Sequence, residues 1–298
     1  MSGRSVLNDL RIWIAGAIVI SLVLPVLDIP SSWLIILVLI IQMTLSLHGL
    51  NVTVKDFLDN KHGAFVSVIL CFLVNTVITL LIGLPFIETN PAIWYGWVML
   101  ASMPCAISVV TAAILKMADV KNSLVAVSGT YVAGLVLTPV LTYVLIGDAV
   151  NPLEILKYIL LFIIIPVLLS RPLSRIKMER STKVPIINLM MALMVFLSIN
   201  NNKEFIFSFP DIIALVFLVS IIRLAILHYS GKFLSKRLGI DEKNVVVYQI
   251  LTVWKNTGLS VSMCMVILGT AFPEAVLPCV VCMCVETVWF SIITMAKD

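Results

Sequence analysis

Apolar runs of 15 to 25 residues, separated by short polar stretches, recur about every thirty residues along this chain. Crossing a ~30 Å hydrocarbon layer at 1.5 Å per residue takes roughly 17 residues or more, and most of the runs reach that length. They fall at 13–27, 33–50, 64–84, 93–115, 123–146, 153–170, 184–199, 208–229, 244–268 and 275–296, which predicts ten transmembrane helices. The first and seventh are the shortest, so each is expected to extend into its polar flanks.

Composition agrees with that pattern. With 61% hydrophobic residues, 12% charged residues and a mean hydropathy of +1.12, the chain reads as an all-α integral membrane protein. Charge then orients it. If the N-terminus starts inside, sixteen of the twenty Lys and Arg residues fall in cytoplasmic segments, as the positive-inside rule requires. Lys203 and the border residue Lys157 lie on the other side, and Arg223 and Lys255 lie within spans. A multi-pass protein of the cell membrane with both termini cytoplasmic is therefore expected. Its net charge of +4 follows from topology and does not imply nucleic-acid binding. The first apolar run lacks a small-residue cleavage site, so no removable signal peptide is expected. All six cysteines lie inside apolar spans and read as small hydrophobes without disulfides; no metal or cofactor is called for.

The loop around Gly147 to Pro152 divides the ten predicted helices into five and five. An odd number of spans in each half forces the second half to run inverted, so 1–147 and 148–298 are expected to be inverted repeats within one transmembrane domain. The fourth span of each half is interrupted by polar or helix-breaking residues. In span four these are Ser102, Pro104, Ser108 and Thr111; in span nine they are Thr252, Lys255, Asn256, Thr257, Gly258, Ser260 and Ser262. Pro104 lacks a backbone donor and Gly258 tolerates unusual dihedrals, so both are expected to break their helices. Opened backbone at mid-membrane survives only against protein or a wet cavity, where it can hold an ion or a substrate. Either residue alone would equally suit a packing kink; their coincidence favours a binding site.

Lys-Asn-Thr-Gly-Leu-Ser at 255–260, Met-Pro at 103–104, and Ser-Gly-Thr-Tyr followed by Leu-Thr-Pro at 128–139 resemble the bile acid:sodium symporter superfamily. The resemblance implies ten helices in two inverted five-helix repeats, with the fourth and ninth broken and crossing. It also implies a secondary transporter of a small organic anion. The departures carry information too. Sodium-using members of that superfamily read Glu-x-x-x-Gln-Asn-Ser-Gly-Leu in the ninth helix, where this chain has Leu251, Lys255, Asn256, Thr257, Gly258 and Leu259. The Ser-Asn pair usual in the fourth helix is also missing after Pro104. Leucine replaces the acidic sodium ligand and a cation replaces the neutral glutamine, so the usual two-sodium arrangement is expected to be absent.

Three roles are open to Lys255. Its charge stands in for the bound cation; or it binds the acidic group of an organic anion or exchanges a proton during transport; or it forms a structural ion pair with Glu286, the one acidic residue well inside the hydrocarbon. Arg223, placed near the cytoplasmic end of span eight, is expected to snorkel. Asn256 would join Lys255 at the site, with Ser108 and Thr111 from helix four and Thr257, Ser128 and Thr130 nearby. Ala126, Thr130 and Gly134 also form a small-residue stripe that lets helix five approach a neighbour closely. Competing readings are a sodium-coupled bile-acid-type symporter, a non-transporting receptor, and an arsenite-efflux-like carrier, suggested only by the position of Cys105. The motifs of membrane proteases and the clustered aspartates of lipid-phosphate transferases do not occur in the spans, so an enzyme is not expected.

Overall fold

The computed structural model describes residues 6–27, 31–49 and 53–295, and among these there is no β-strand. The main helices are α1 (Leu10–Val23), α2 (Ser31–Leu47), α3 (Lys61–Gly83), α4 (Pro91–Ser102), α5 (Ser108–Leu115) and α6 (Val120–Ile146). There follow α7 (Pro152–Leu173), α8 (Arg180–Asn201), α9 (Pro210–Arg237), α10 (Glu242–Val253), α11 (Thr257–Leu268) and α12 (Leu277–Met295). Among the described residues six helical stretches are long and apolar enough to cross a membrane, and α1, α2 and α11 are shorter apolar helices.

Local chemistry sets several of the boundaries. Pro25 disfavours helical dihedrals at Leu24, which is extended, so α1 stops earlier than its apolar run. At its other end α1 reaches back to Leu10, and α8 outgrows its apolar run at both ends, as expected of the two shortest runs. Asn90 caps α4, and Asn151 caps α7 just ahead of Pro152 at the first helical position. A short helix, Val54–Asp59, begins at a capping box made by Thr53 and Asp56. Lys121, at the start of α6, pairs with the Asp56 carboxylate and ties this loop down.

The helices pack in two groups. In one, α1 lies against α8, and α2 lies against α7 and α8. In the other, α3, α6, α9, α10 and α12 surround the α4–α5 segment and each other. Within this second group the backbones come close where side chains are small. Gly134 of α6, a member of the small-residue stripe, sits against Phe72 and Pro104, and Gly129, outside the stripe, against Ala64. Gly231 of α9 leaves room for the Thr252 side chain, which a Cβ would approach to 2.8 Å.

Two elements differ from expectation. The middle of α3, Ile69–Asn75, is a π-helical segment, which rotates the carbonyls of that turn off the regular ladder. Helix α9 runs for 28 residues, about 42 Å at 1.5 Å per residue, well beyond the apolar run that foretold it. Arg223 is therefore midway along the helix.

Candidate functional site

The α4–α5 and α10–α11 segments are each one helix opened in the middle. Proline explains the first opening: Met103, immediately before Pro104, is extended with ψ 155°. The second has no proline. Trp254 is extended, and Asn256 restarts the helix by accepting a hydrogen bond from the Leu259 amide at 3.0 Å. Gly258 is the second residue of α11 and does not make the break, contrary to the expectation for it. Its missing Cβ instead keeps a gap open between Met194 and Gln42.

The two opened segments satisfy each other. They run antiparallel with Cys105 opposite Lys255; the Ala106 amide donates to the Trp254 carbonyl (2.9 Å) and the Asn256 amide to the Pro104 carbonyl (2.8 Å). Backbone polarity that lipid would penalise is thus paired within the protein. Thr130 of α6 supports the junction, its hydroxyl 3.1 Å from the Cys105 sulfur.

Lys255 is wholly buried at this junction. Its Nζ donates to the Met103 carbonyl (2.7 Å) and to the Cys71 carbonyl in the π-helical turn of α3 (2.8 Å). The Thr76 hydroxyl and the Cys71 sulfur each lie at 3.4 Å, and the Phe72 ring centroid at 4.7 Å. All these partners are neutral. The ammonium also caps the C-terminal end of α4, where the helix dipole is negative.

Glu286 pairs with Arg223, which removes one of the three roles open to Lys255, the structural ion pair with Glu286. The Arg223 Nη1 to Glu286 Oε1 distance is 2.6 Å, and both side chains are buried. Arg223 does not snorkel, because the length of α9 holds it far from either end. Its Nε donates to the Thr79 hydroxyl (2.7 Å), and its Nη2 reaches Asn75 Oδ1 (3.2 Å) and the Val253 carbonyl (3.4 Å). Asn75 completes the network by donating to the carbonyls of Thr252 (2.7 Å) and Val253 (3.1 Å), the last turn of α10.

On the α2 and α8 side of the crossing lies a cavity of about 30 Å³, lined by Gln42, Met43, Ser46, Ala106, Ile107, Ser108, Met191, Trp254, Asn256, Thr257 and Gly258. That is room for one or two waters. The first turns of α5 and α11, the positive ends of two helix dipoles, meet there. Asn256 also donates to the Tyr131 hydroxyl at 2.6 Å. Of the expected site residues, Asn256, Thr257 and Ser108 come together at this cavity. Lys255 is adjacent to it in sequence but turns its ammonium toward α3. Thr111 is exposed, and Ser128 is half-buried; neither lines the cavity.

Sequence reasoning missed Gln42, Asn75, Thr76, Thr79 and Tyr131. Polar residues inside apolar runs were the available signal for Gln42 and for the Asn75, Thr76 and Thr79 cluster. Gln42 Oε1 has no hydrogen-bond partner and faces the cavity's lining.

A comparison with curated proteins finds no match. The model of the sodium bile acid symporter family matches residues 33–209, from α2 through the first break to the residue before α9. The match stops before Lys255, so the α10–α11 segment lies outside it. Residues 33–209 nonetheless make up more than half of the chain, and the chain belongs to the sodium bile acid symporter family.

Proposed function

We propose that this protein is a secondary transporter that moves a small organic anion by alternating access without dissolved sodium, the ammonium of Lys255 taking the place of the coupling cation. The observation that carries this reading is the cradle around Lys255: carbonyls and a hydroxyl gathered at a helix break, oxygen ligands of the kind a hard cation takes, around an ammonium that has no carboxylate. A cation built into the chain is never released, so the site needs none from solution. In this reading α4–α5 and α10–α11 are spans four and nine of ten, the halves 1–147 and 148–298 are inverted repeats, and both termini are cytoplasmic.

The cavity supplies the anion site. Asn256, Thr257 and Ser108 present an amide and hydroxyls beside two helix N-termini, which suits a carboxylate. Rocking of the α1–α2–α7–α8 group against the crossed-helix group would widen the cavity and open it alternately to the two sides.

A library of carboxylates screened for thermal stabilisation in detergent, followed by flux in proteoliposomes, identifies the substrate. Replacing external sodium with choline should leave uptake nearly unchanged, and Lys255→Gln should remove most of it. A steep loss in choline, or wild-type flux and pH dependence in the Lys255→Gln protein, overturns the reading.

A further inference from the structure

We propose that Arg223 is a second fixed cation of the transport core, with Glu286 as its internal counter-ion, and that the net single positive charge so produced selects monovalent over divalent anions at the cavity. This rests on the anion reading of the cavity and adds the groups that set its valence.

Three charged side chains are buried within the spans among the described residues: Lys255, Arg223 and Glu286. Two cations against one carboxylate leave one positive charge uncompensated. Arg223 spends only Nη1 on Glu286 and turns Nε and Nη2 to the neutral groups of Thr79, Asn75 and Val253. Glu286 in turn uses one oxygen, and its Oε2 has no hydrogen-bond partner. The guanidinium is thus shared between its counter-ion and the end of α10, whose last carbonyl precedes Trp254 at the cavity wall. Lys255 does the same for α4 through the Met103 carbonyl. Each half-helix that ends at the crossing has one cation at its negative terminus, and the positive starts of α5 and α11 are left facing the cavity. All three side chains are buried, so bulk water screens them little and each contributes to the potential at the cavity. A monoanion neutralises the core when it enters, whereas a dianion reverses its sign.

Trp254 lines the cavity and gives a readout that needs no known substrate. The probe is iodide quenching of Trp254 fluorescence, taken as the difference between each protein and its Trp254→Phe counterpart and divided by quenching with uncharged acrylamide. Glu286→Gln should raise this ratio about tenfold by removing the one negative charge of the core. Arg223→Gln combined with Glu286→Gln should restore the wild-type value, and Lys255→Met should lower it. The wild-type protein, which requires no substitution to fold, gives a parallel test: butyrate should relieve iodide quenching, and succinate, with a second carboxylate on the same four-carbon skeleton, should not. Equal relief by the two overturns the proposal. A ratio lowered by Lys255→Met but unmoved by Glu286→Gln, or not restored in the double variant, overturns the role of Arg223 and Glu286 and leaves the anion site standing. If iodide quenches Trp254 no better than acrylamide does and no variant changes the ratio, the anion site itself fails, and this proposal with it.

Discussion

Two buried cations reach the same stretch of α3 beside the helix crossing, and their surroundings differ in one respect: Arg223 has a carboxylate and Lys255 does not. Arg223 is fixed by Glu286, Thr79 and Asn75, which come from two other helices, and it joins α9, α12 and α3. Lys255 touches only neutral carbonyl, hydroxyl, thiol and ring groups. A charge with a counter-ion is woven into the fold, because removing either partner strands the other in a low-dielectric interior. A charge without one leaves nothing charged behind when it is removed. It also leaves the core with charge for another ion to balance. The difference separates a framework pair from a working cation, and substitution should separate the two experimentally.

The largest effect is expected at the pair. Glu286→Ala leaves a buried guanidinium with no counter-ion, a class of change that costs about 3–5 kcal/mol. Thermal unfolding in detergent should show a strongly destabilised protein, and Arg223→Leu with Glu286→Leu should recover much of the loss. A Glu286→Ala protein as stable as wild type would break the comparison.

Lys255→Met should be next in stability and first in activity. The carbonyls of Cys71 and Met103 lose their common donor, at about 1–3 kcal/mol for buried acceptors left unpaired. The protein should remain folded, yet flux in proteoliposomes should fall near background. Near-normal flux from a stable Lys255→Met protein would mean that the cation is framework after all.

Asn75 bridges the two regions and sharpens the contrast. Its amide holds the Thr252 and Val253 carbonyls while its oxygen accepts from Arg223 and Thr79. Asn75→Ala should therefore cost about 1–3 kcal/mol and loosen the end of α10, read as faster amide exchange from Thr252 to Asn256 than elsewhere in the core. Equal exchange across the crossing would remove Asn75 from the coupling.

The parts of this arrangement that could be read from the chain are those set by local sequence. Apolar runs mark helices because each residue's hydropathy acts where it stands, and Pro104 marks a break because its ring constrains Met103 directly. Lys255 stood out for the same reason, as a charge inside an apolar run. Which cation meets Glu286 was not legible, since it depends on how α9, α10 and α12 are rotated against one another. Neither the long C-terminal extension of α9 nor the π-helical turn in α3 has a local marker: Ile69–Asn75 is almost uniformly apolar, and the turn is where α3 presents the Cys71 carbonyl to Lys255. The second break was legible, but for the wrong residue. Asn256 makes the cap, while Gly258 gives close approach to Met194 and Gln42.

That reassignment is itself testable, with a smaller effect. A Cβ on Gly258 would lie 3.4 Å from Met194 Cε and 3.6 Å from Asn256 Oδ1, contacts that flexible neighbours can absorb. Gly258→Ala should thus change stability by less than about 1 kcal/mol while weakening carboxylate binding several-fold, because the added methyl takes up much of a small cavity. Unfolding of the Gly258→Ala protein would show that the break depends on glycine.

The smallest effect is expected far from the crossing, at an ion pair whose lysine is open to solvent. Asp56 accepts from Lys121 and from the Thr53 amide and hydroxyl, and the Lys121 hydrogen bond is the main reason its carboxyl is lowered from 3.8 to about 2. A lowered carboxyl favours the folded state fully above its ordinary value, and the contribution fades as pH falls from about 4 toward about 2. Asp56→Asn should therefore lower thermal stability slightly and by the same amount from pH 5 to 8, with the difference shrinking below pH 4. The substitution leaves no charge stranded in hydrocarbon, because solvent reaches the Lys121 ammonium. If Asp56→Asn proved as damaging as Glu286→Ala, burial would not be what distinguishes the framework pair, and the contrast between the two membrane cations would lose its physical basis.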